Sequence, residues 1–145
     1  MGKFNYKFET IKKVKQIVEK KVQKEVAVIE IEIEKRKKKI SDLVAEKNET
    51  LTAYKSKRSL KVSEIQFVNS FEKVIEEQIA AVEQEIRNFE MSRKKKIEEL
   101  TQKSKETKMF EKLEEKHLLA FTMEENKLEQ KEIDDIANKK FSRGQ

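Results

Sequence analysis

The side chains that most often do chemistry in proteins are scarce in this sequence of 145 residues, which has no cysteine and a single histidine, His117. A zinc site would have to be built largely from carboxylates, whereas zinc prefers cysteine and histidine ligands. Nucleophilic catalysis needs a nucleophile beside a positioned base, held in a closed pocket. We therefore predict that the chain is not an enzyme and uses no cofactor, metal or small-molecule substrate. His117 is expected to pack in a helix interface or on the surface.

Basic residues offer a second kind of chemistry, the binding of an anionic surface, and they form the runs Lys35–Lys39 and Arg93–Lys96. Nucleic acids and anionic lipids both attract such runs. Consecutive residues, however, spread around a helix and do not form one basic edge. We expect solvated faces and no nucleic-acid partner. The acidic residues that could balance them are Glu30, Glu32 and Glu34 or Glu111, Glu114 and Glu115.

The elements that position these residues are predicted to be long helices. Charged residues make up 43% of the chain, proline is absent, and the two glycines lie at positions 2 and 144. Compact folds need tight turns that draw on glycine and proline, whereas coiled coils are rich in Glu and Lys. No apolar run approaches the roughly 20 residues that span a bilayer, so no membrane insertion is expected. The absence of cysteine is compatible with a reducing cytoplasm.

The first helix is predicted at about residues 8–58, because its apolar residues recur at steps of three and four and so share one face. The stripe consists of Phe8, Ile11, Val14, Val18, Val22, Val26, Ile29 and Ile33. Val28 and Ile31 fall off this stripe and form either a small exposed patch or a wider interface. The alternation over residues 26–34 is typical of a strand, but a single strand would have no partner, so we interpret it as helix.

The turn is predicted at about residues 59–63, because Ser63 followed by Gln66 has the form of a capping box with Ser63 as N-cap. A second helix follows at about residues 64–140, with an apolar stripe that includes Ile65, Val68, Ile75, Ile79, Val82, Ile86 and Phe89. This helix is longer than the first, so either it overhangs or residues 59–73 form a broken tip. A short connection makes the helices antiparallel. The predicted fold is all-α, a long antiparallel two-helix coiled-coil hairpin forming a single domain over residues 1–145.

Three segments of the chain resemble the flagellar export protein FliJ family. They are the opening Phe4–Phe8, the segment Ile65–Glu76 after the turn, and the closing segment Glu125–Ala137. The resemblance implies a cytoplasmic stalk and adaptor of the bacterial flagellar type III export apparatus, associated peripherally with the inner face of the cell membrane. Its implied partners are the export ATPase hexamer, the cytoplasmic domain of the export gate protein, and export chaperones.

The resemblance also implies which residues contact these partners. The paired chain ends would face the ATPase ring through Val14, Val18, Val22, Leu118, Phe121, Leu128 and Gln130. The tip would face the export gate through Leu43, Phe67, Phe71, Val74 and Gln78. The chain departs from the family at Glu46 and Thr50, where some members carry tyrosine.

Three alternatives stay open at this stage. The chain could be a generic coiled-coil scaffold or chaperone, the equivalent stalk of a virulence type III secretion system, or a binder of nucleic acid or membrane surfaces through its basic runs. Phe67 and Phe71 are equally compatible with a knob that binds a partner and with a small local core at the tip.

Overall fold

Two α-helices account for most of residues 2–144, the part of the chain that the computed structural model describes. Helix α1 spans Glu9–Lys55 and helix α2 spans Val62–Arg143. No strand occurs within these described residues. The segment with period-two alternation lies inside α1, so the helical interpretation is confirmed.

The predicted N-cap at Ser63 is wrong. Helix α2 begins one residue earlier, at Val62, and the backbone N–H groups of Glu64 and Ile65 donate to the Lys61 carbonyl at 3.0 and 3.1 Å. Because the Lys61 carbonyl accepts both hydrogen bonds, the first turn forms without the side-chain cap on which the prediction relied. The helix therefore runs unbroken through residues 62–73, and these residues do not form a broken tip.

Residues 56–61 connect the helices without glycine or proline. The Ser56 hydroxyl donates to the Ala53 carbonyl at 2.8 Å, and the Ser56 N–H donates to the Thr52 carbonyl at 3.1 Å. These two hydrogen bonds satisfy carbonyl groups near the end of α1. In many other helices, a glycine in the left-handed conformation allows the following N–H groups to bond to these carbonyls. No described non-glycine residue has a positive φ angle, so the connection needs no glycine.

The contacts of the chain group into two compact units. One unit is Lys21–Leu100, and the segments that precede and follow it in sequence form the other. We call them the central unit and the terminal unit. The single domain predicted for residues 1–145 remains a prediction.

The helices of the central unit pack against each other in antiparallel order. Lys47 pairs with Glu76 at 3.1 Å and Glu25 pairs with Lys96 at 2.7 Å, so partners move backwards along α2 as they move forwards along α1. Its buried apolar residues are Val22, Val26, Ile33, Ile75 and Val82. The all-α helical hairpin predicted from the sequence is therefore confirmed.

Val28 and Ile31 also belong to the central unit, but they do not widen its apolar interface. Their side chains remain 59% and 54% exposed. They lie on the face of α1 opposite Val22 and Val26, because each residue turns the helix by about 100°. Of the two interpretations of these residues, the structure supports the small exposed apolar patch.

In the terminal unit, residues 2–8 are not helical and lie beside α2. Tyr6 is buried there, with 8% of its surface exposed. The predicted stripe of α1 is only partly correct here, since Ile11 is 43% and Val14 52% exposed. Two successive steps of three residues rotate a side chain by about 120° away from the starting face, and this drift carries Val14 away from Phe8.

Helix α2 carries one buried polar residue in the terminal unit, Thr107, which is 3% exposed. Its hydroxyl donates to the Lys103 carbonyl one turn earlier at 3.1 Å. The buried oxygen is thereby satisfied, as buried polar groups generally are.

Candidate interaction surfaces

An aromatic cluster holds the N-terminal residues onto α2 in the terminal unit. We call it the N-terminal clasp; its members are Phe4, Tyr6, Phe8, Phe110, His117 and Phe121. The Tyr6 hydroxyl donates to the backbone carbonyl of Phe110 at 2.8 Å. The rings of Phe4 and Phe121 lie 5.6 Å apart, a spacing typical of favourable aromatic pairs.

His117 is one of the packed rings of the clasp. Its ring centroid lies 5.7 Å from that of Tyr6 and 6.2 Å from that of Phe8. The prediction that His117 serves packing is therefore confirmed. Among the described residues, no group of three or more His, Cys, Asp or Glu side chains could hold a metal ion.

Charged side chains border the clasp. The Lys12 ammonium lies 2.6 Å from Glu114 and 3.1 Å from Glu9. The hydrogen bonds that Lys12 donates to Glu114 and then to Glu9 raise the pKa of Lys12. Burial, and then the nearby negative charge of Glu114, raise the pKa of Tyr6, so its hydroxyl stays protonated and can donate to Phe110. The raised pKa values keep the Tyr6 hydroxyl protonated and the Lys12 ammonium charged, so both groups serve the structure of the clasp.

The clasp was not predicted, because the spacing of its N-terminal members is not helical. Phe4, Tyr6 and Phe8 recur at every second residue. Period two is the spacing of an extended segment that packs one face, and this signal could have identified the clasp.

The residues predicted to contact an ATPase ring lie in different environments. Val22 is buried in the central unit with 3% exposed, so its side chain serves the helix interface and is not on the surface. Phe121 is half-buried in the clasp. Val14, Leu118 and Leu128 are 52%, 45% and 53% exposed. Gln130 is exposed and donates to Asp134 one turn later at 3.1 Å.

The last part of α2 offers a largely uncovered surface. Every residue of 122–143 except the half-buried Glu125 is exposed. Leu128, Ile133 and Ile136 are 53%, 57% and 57% exposed. Helical spacing places Leu128 and Ile136 on the same side of α2 as Phe121, so the terminal unit presents an apolar face there. We call Leu128 and Ile136 the C-terminal face; Ile133 lies on another side of the helix.

The residues predicted to contact an export gate lie in the central unit. Phe67, Phe71, Val74 and Gln78 follow one another at steps of four, three and four, which keeps them on one side of α2. Phe67 and Val74 are each 51% exposed, whereas Phe71 is half-buried. Leu43 is half-buried on α1.

The two tip phenylalanines are also part of a small aromatic stack. The Phe67 ring lies 6.1 Å from Phe71 and 5.8 Å from Tyr54 of α1. Phe67 thus contributes to a local core with one side of its ring and faces solvent with the rest. Phe67 can therefore belong to a small local core at the tip and still bind a partner through its exposed part.

Five of the nine residues in the basic runs make ion pairs with acidic residues that the structure describes. Arg36 pairs with Glu32 and with Glu85 across the helices, and its guanidinium lies 4.5 Å above the Phe89 ring. Arg93 pairs with Glu30 at 3.0 Å. These contacts confirm in part the predicted balance by Glu30, Glu32 and Glu34, whereas no described ion pair joins Glu111, Glu114 or Glu115 to either run. Lys38, Lys39, Lys94 and Lys95 have no ion pair among the described residues.

These observations place the chain in the class of helical-hairpin coiled-coil proteins, with exposed apolar residues at defined places on both units. None of the described helices is long and apolar enough to cross a membrane. A family model with the description Flagellar FliJ protein matches residues 4–145, and the chain therefore belongs to the FliJ family. Searches of curated proteins and of solved structures gave no match.

Membership in this family assigns the chain to flagellum biogenesis and to type III protein export. The family consists of structural and adaptor proteins and is not a family of known enzymes. Proteins of this family belong to the flagellar export apparatus.

Proposed function

We propose that the chain acts as the stalk and adaptor of a flagellar export ATPase, with its terminal unit inside the ring of the ATPase hexamer. The observation that supports this proposal best is the uncovered C-terminal face of α2. Exposed large apolar residues that are aligned on one helix face commonly mark a protein interaction site. A ring of subunits could cover such a face on a helix end inserted into it.

The electrostatics of the terminal unit suit contact with a ring. Its exposed α2 segment intersperses acidic and basic residues, such as Glu129 and Lys131, among the apolar ones. Mixed charges give solubility to the free protein while the apolar residues supply the contact. Leu128 is the residue of this face that the family resemblance also implicates.

The central unit supplies the second proposed contact, with the cytoplasmic domain of the export gate protein. Phe67 and Val74 expose half of their side chains on one side of α2, next to the half-buried Phe71. A partly exposed aromatic ring held by a neighbouring ring is a preorganised anchor, because little rotamer freedom is lost on binding. Export chaperones are the third class of proposed partner.

The proposed location follows from these partners. The chain would be cytoplasmic and would associate peripherally with the inner face of the cell membrane at the flagellar base, through the export gate. No contact with nucleic acid and no insertion into the membrane form part of this proposal.

The proposal is tested with the purified export ATPase and a matched pair of variants. Leu128→Ser removes an apolar side chain from the C-terminal face. Leu119→Ser removes one that is 62% exposed on a different side of the same helix. Wild type and Leu119→Ser should stimulate ATP hydrolysis and ring assembly equally, while Leu128→Ser should lose most of the stimulation. No stimulation by wild type at equimolar amounts, or equal loss in both variants, would refute the ring contact.

A further inference from the structure

The exposed side of α1 in the central unit carries apolar residues flanked by lysines, and the proposed function uses none of them. We call this surface the α1 patch; it consists of Lys24, Ala27, Val28, Ile31, Lys35 and Lys38. Helical spacing places all six on the side opposite the buried residues of α1. Val28 and Ile31 are more than half exposed.

The lysines of the α1 patch are weakly paired, although Glu30 and Glu34 line the same groove beside Ile31. Lys24 and Lys38 make no ion pair among the described residues. Lys35 has only a 3.6 Å contact with Glu32 on its own helix, and its side chain is 68% exposed. A surface of this kind is complementary to a helix that presents an apolar residue between carboxylates.

The chain itself contains such a helix. Residues 124–136 of α2, which we call the acidic segment, carry six carboxylates and two lysines. Apart from the half-buried Glu125, all of them are exposed. Glu124 and Asp135 make no ion pair among the described residues. Leu128 lies between them and is 53% exposed.

The spacing of the two surfaces matches in antiparallel register. Lys35 follows Ile31 by four residues, and Glu124 precedes Leu128 by four. Lys24 precedes Ile31 by seven residues, and Asp135 follows Leu128 by seven. With Ile31 opposite Leu128, Lys35 therefore faces Glu124 and Lys24 faces Asp135. Steps of four and seven stay on one helix face, so all three pairs can form at once.

We propose that the α1 patch of one copy of this chain binds the acidic segment of a second copy. Each copy carries both surfaces, and the contact joins a different surface on each copy, so it is heterologous and can extend an assembly beyond two copies. The contact covers Leu128, which the proposed function assigns to the ATPase ring. Self-association and ring binding therefore exclude each other at this residue, although the self-association itself does not depend on the export role.

Charge reversal tests the register, and the full chain is used throughout. One variant combines Lys24→Glu with Lys35→Glu, and the other combines Glu124→Lys with Asp135→Lys. Each variant alone places like charges opposite each other, which should weaken self-association about tenfold or more relative to wild type. When the two variants are mixed, both contacts again join opposite charges, so association should return to about the wild-type level.

Sedimentation velocity in about 50 mM salt provides the measurement, because low salt leaves exposed charge pairs poorly screened. Wild type should show a mass that rises with concentration and falls when salt is added. The control combines Lys94→Glu with Lys95→Glu, which makes the same charge change on exposed residues of α2 outside both surfaces. It should associate like wild type, and circular dichroism should show equal helicity in all variants.

Three results would overturn the proposal. They are a single-chain mass for wild type at several hundred micromolar, equal weakening in the control, and no recovery when the two charge-reversal variants are mixed. The recovery is decisive, because a variant that had simply lost its fold could not regain association from its partner.

Discussion

The Tyr6 hydroxyl donates a hydrogen bond of 2.8 Å to the Phe110 carbonyl, across 104 residues of sequence. This bond fixes the non-helical N-terminal residues at one height along α2. The rings of Phe4 and Phe8 then meet Phe121 and Phe110 on either side of it. A single polar contact thus sets the register of an aromatic cluster, in which packing alone would allow sliding.

The first prediction concerns this bond. Tyr6→Phe keeps the ring and removes the hydroxyl, so it should lower the thermal midpoint by roughly 2–5 °C. Tyr54→Phe is the matched control, because the Tyr54 hydroxyl makes no hydrogen bond among the described residues. Thermal unfolding followed by circular dichroism compares the two. Equal midpoints for both variants would show that the Tyr6 hydroxyl does not stabilise the clasp.

A second prediction concerns the core of the central unit. Ile75 is 2% exposed, and Ile75→Ala should lower the free energy of unfolding by about 2–4 kcal/mol through lost burial and a residual cavity. Ile133→Ala makes the same chemical change on a residue of α2 that is 57% exposed. Its cost should stay below about 1 kcal/mol. Urea denaturation measures both values, and similar costs would contradict the burial described here.

The third prediction concerns pH. The hydrogen bond from Lys96 lowers the pKa of Glu25 below its ordinary value of 4.5, and the same pair raises the pKa of Lys96 above 10.5. The stabilisation from Glu25 is present above about pH 4.5 and is lost as the pH falls through its folded pKa. The stabilisation from Lys96 is present below about pH 10.5 and is lost as the pH rises through its folded pKa.

Glu25→Gln should therefore lower stability at pH 7 and lose less stability than wild type between pH 5 and pH 3. Glu129→Gln is the control, because Glu129 is exposed and makes no ion pair among the described residues. Urea midpoints at several pH values provide the comparison. Parallel curves for wild type and Glu25→Gln would show that the pair with Lys96 contributes nothing to the acid response.

The fourth prediction separates partner binding from folding at Phe67 and Phe71. Phe67→Ala should weaken binding to the cytoplasmic domain of the export gate about tenfold or more, because it removes an exposed aromatic anchor. Phe71→Ala should weaken it too, since the stacked ring that holds Phe67 is lost. Both variants should keep the helicity of wild type. Calorimetric titration measures binding, with Ile65→Ala as the exposed control near the start of α2.

A loss of helicity in the two phenylalanine variants would instead assign these rings to folding alone. Wild-type affinity in both would remove Phe67 from the proposed gate contact.

The fold could be predicted from the sequence because a two-helix interface repeats apolar residues at steps of three and four along its length. Val22, Val26 and Ile33 follow this pattern and are buried. The prediction was wrong at Val14, because two successive steps of three residues rotate this side chain away from the buried face. It was also wrong at Ser63, because backbone hydrogen bonds form the first turn of α2 without a side-chain cap. Each failure reflects a local geometry that the spacing of apolar residues does not encode.

The interaction surfaces were less predictable than the fold. The candidates drawn from the family resemblance include Val22, which is buried, alongside Leu128, which is exposed. A residue's type and phase indicate which face it occupies, but its exposure depends on whether another segment lies over that face. The N-terminal residues cover α2 at Phe121 and leave Leu128 uncovered.

The spacing of the ion pairs has a consequence for how the chain assembles. Lys57 and Glu64 meet across the turn and are only 7 positions apart in sequence, whereas Lys12 and Glu114 are 102 positions apart. The entropic cost of closing a loop rises with its length. The hairpin should therefore close from the turn towards the chain ends, and the clasp should form last. During synthesis, Tyr6 must wait for more than a hundred further residues before its hydrogen-bond acceptor exists.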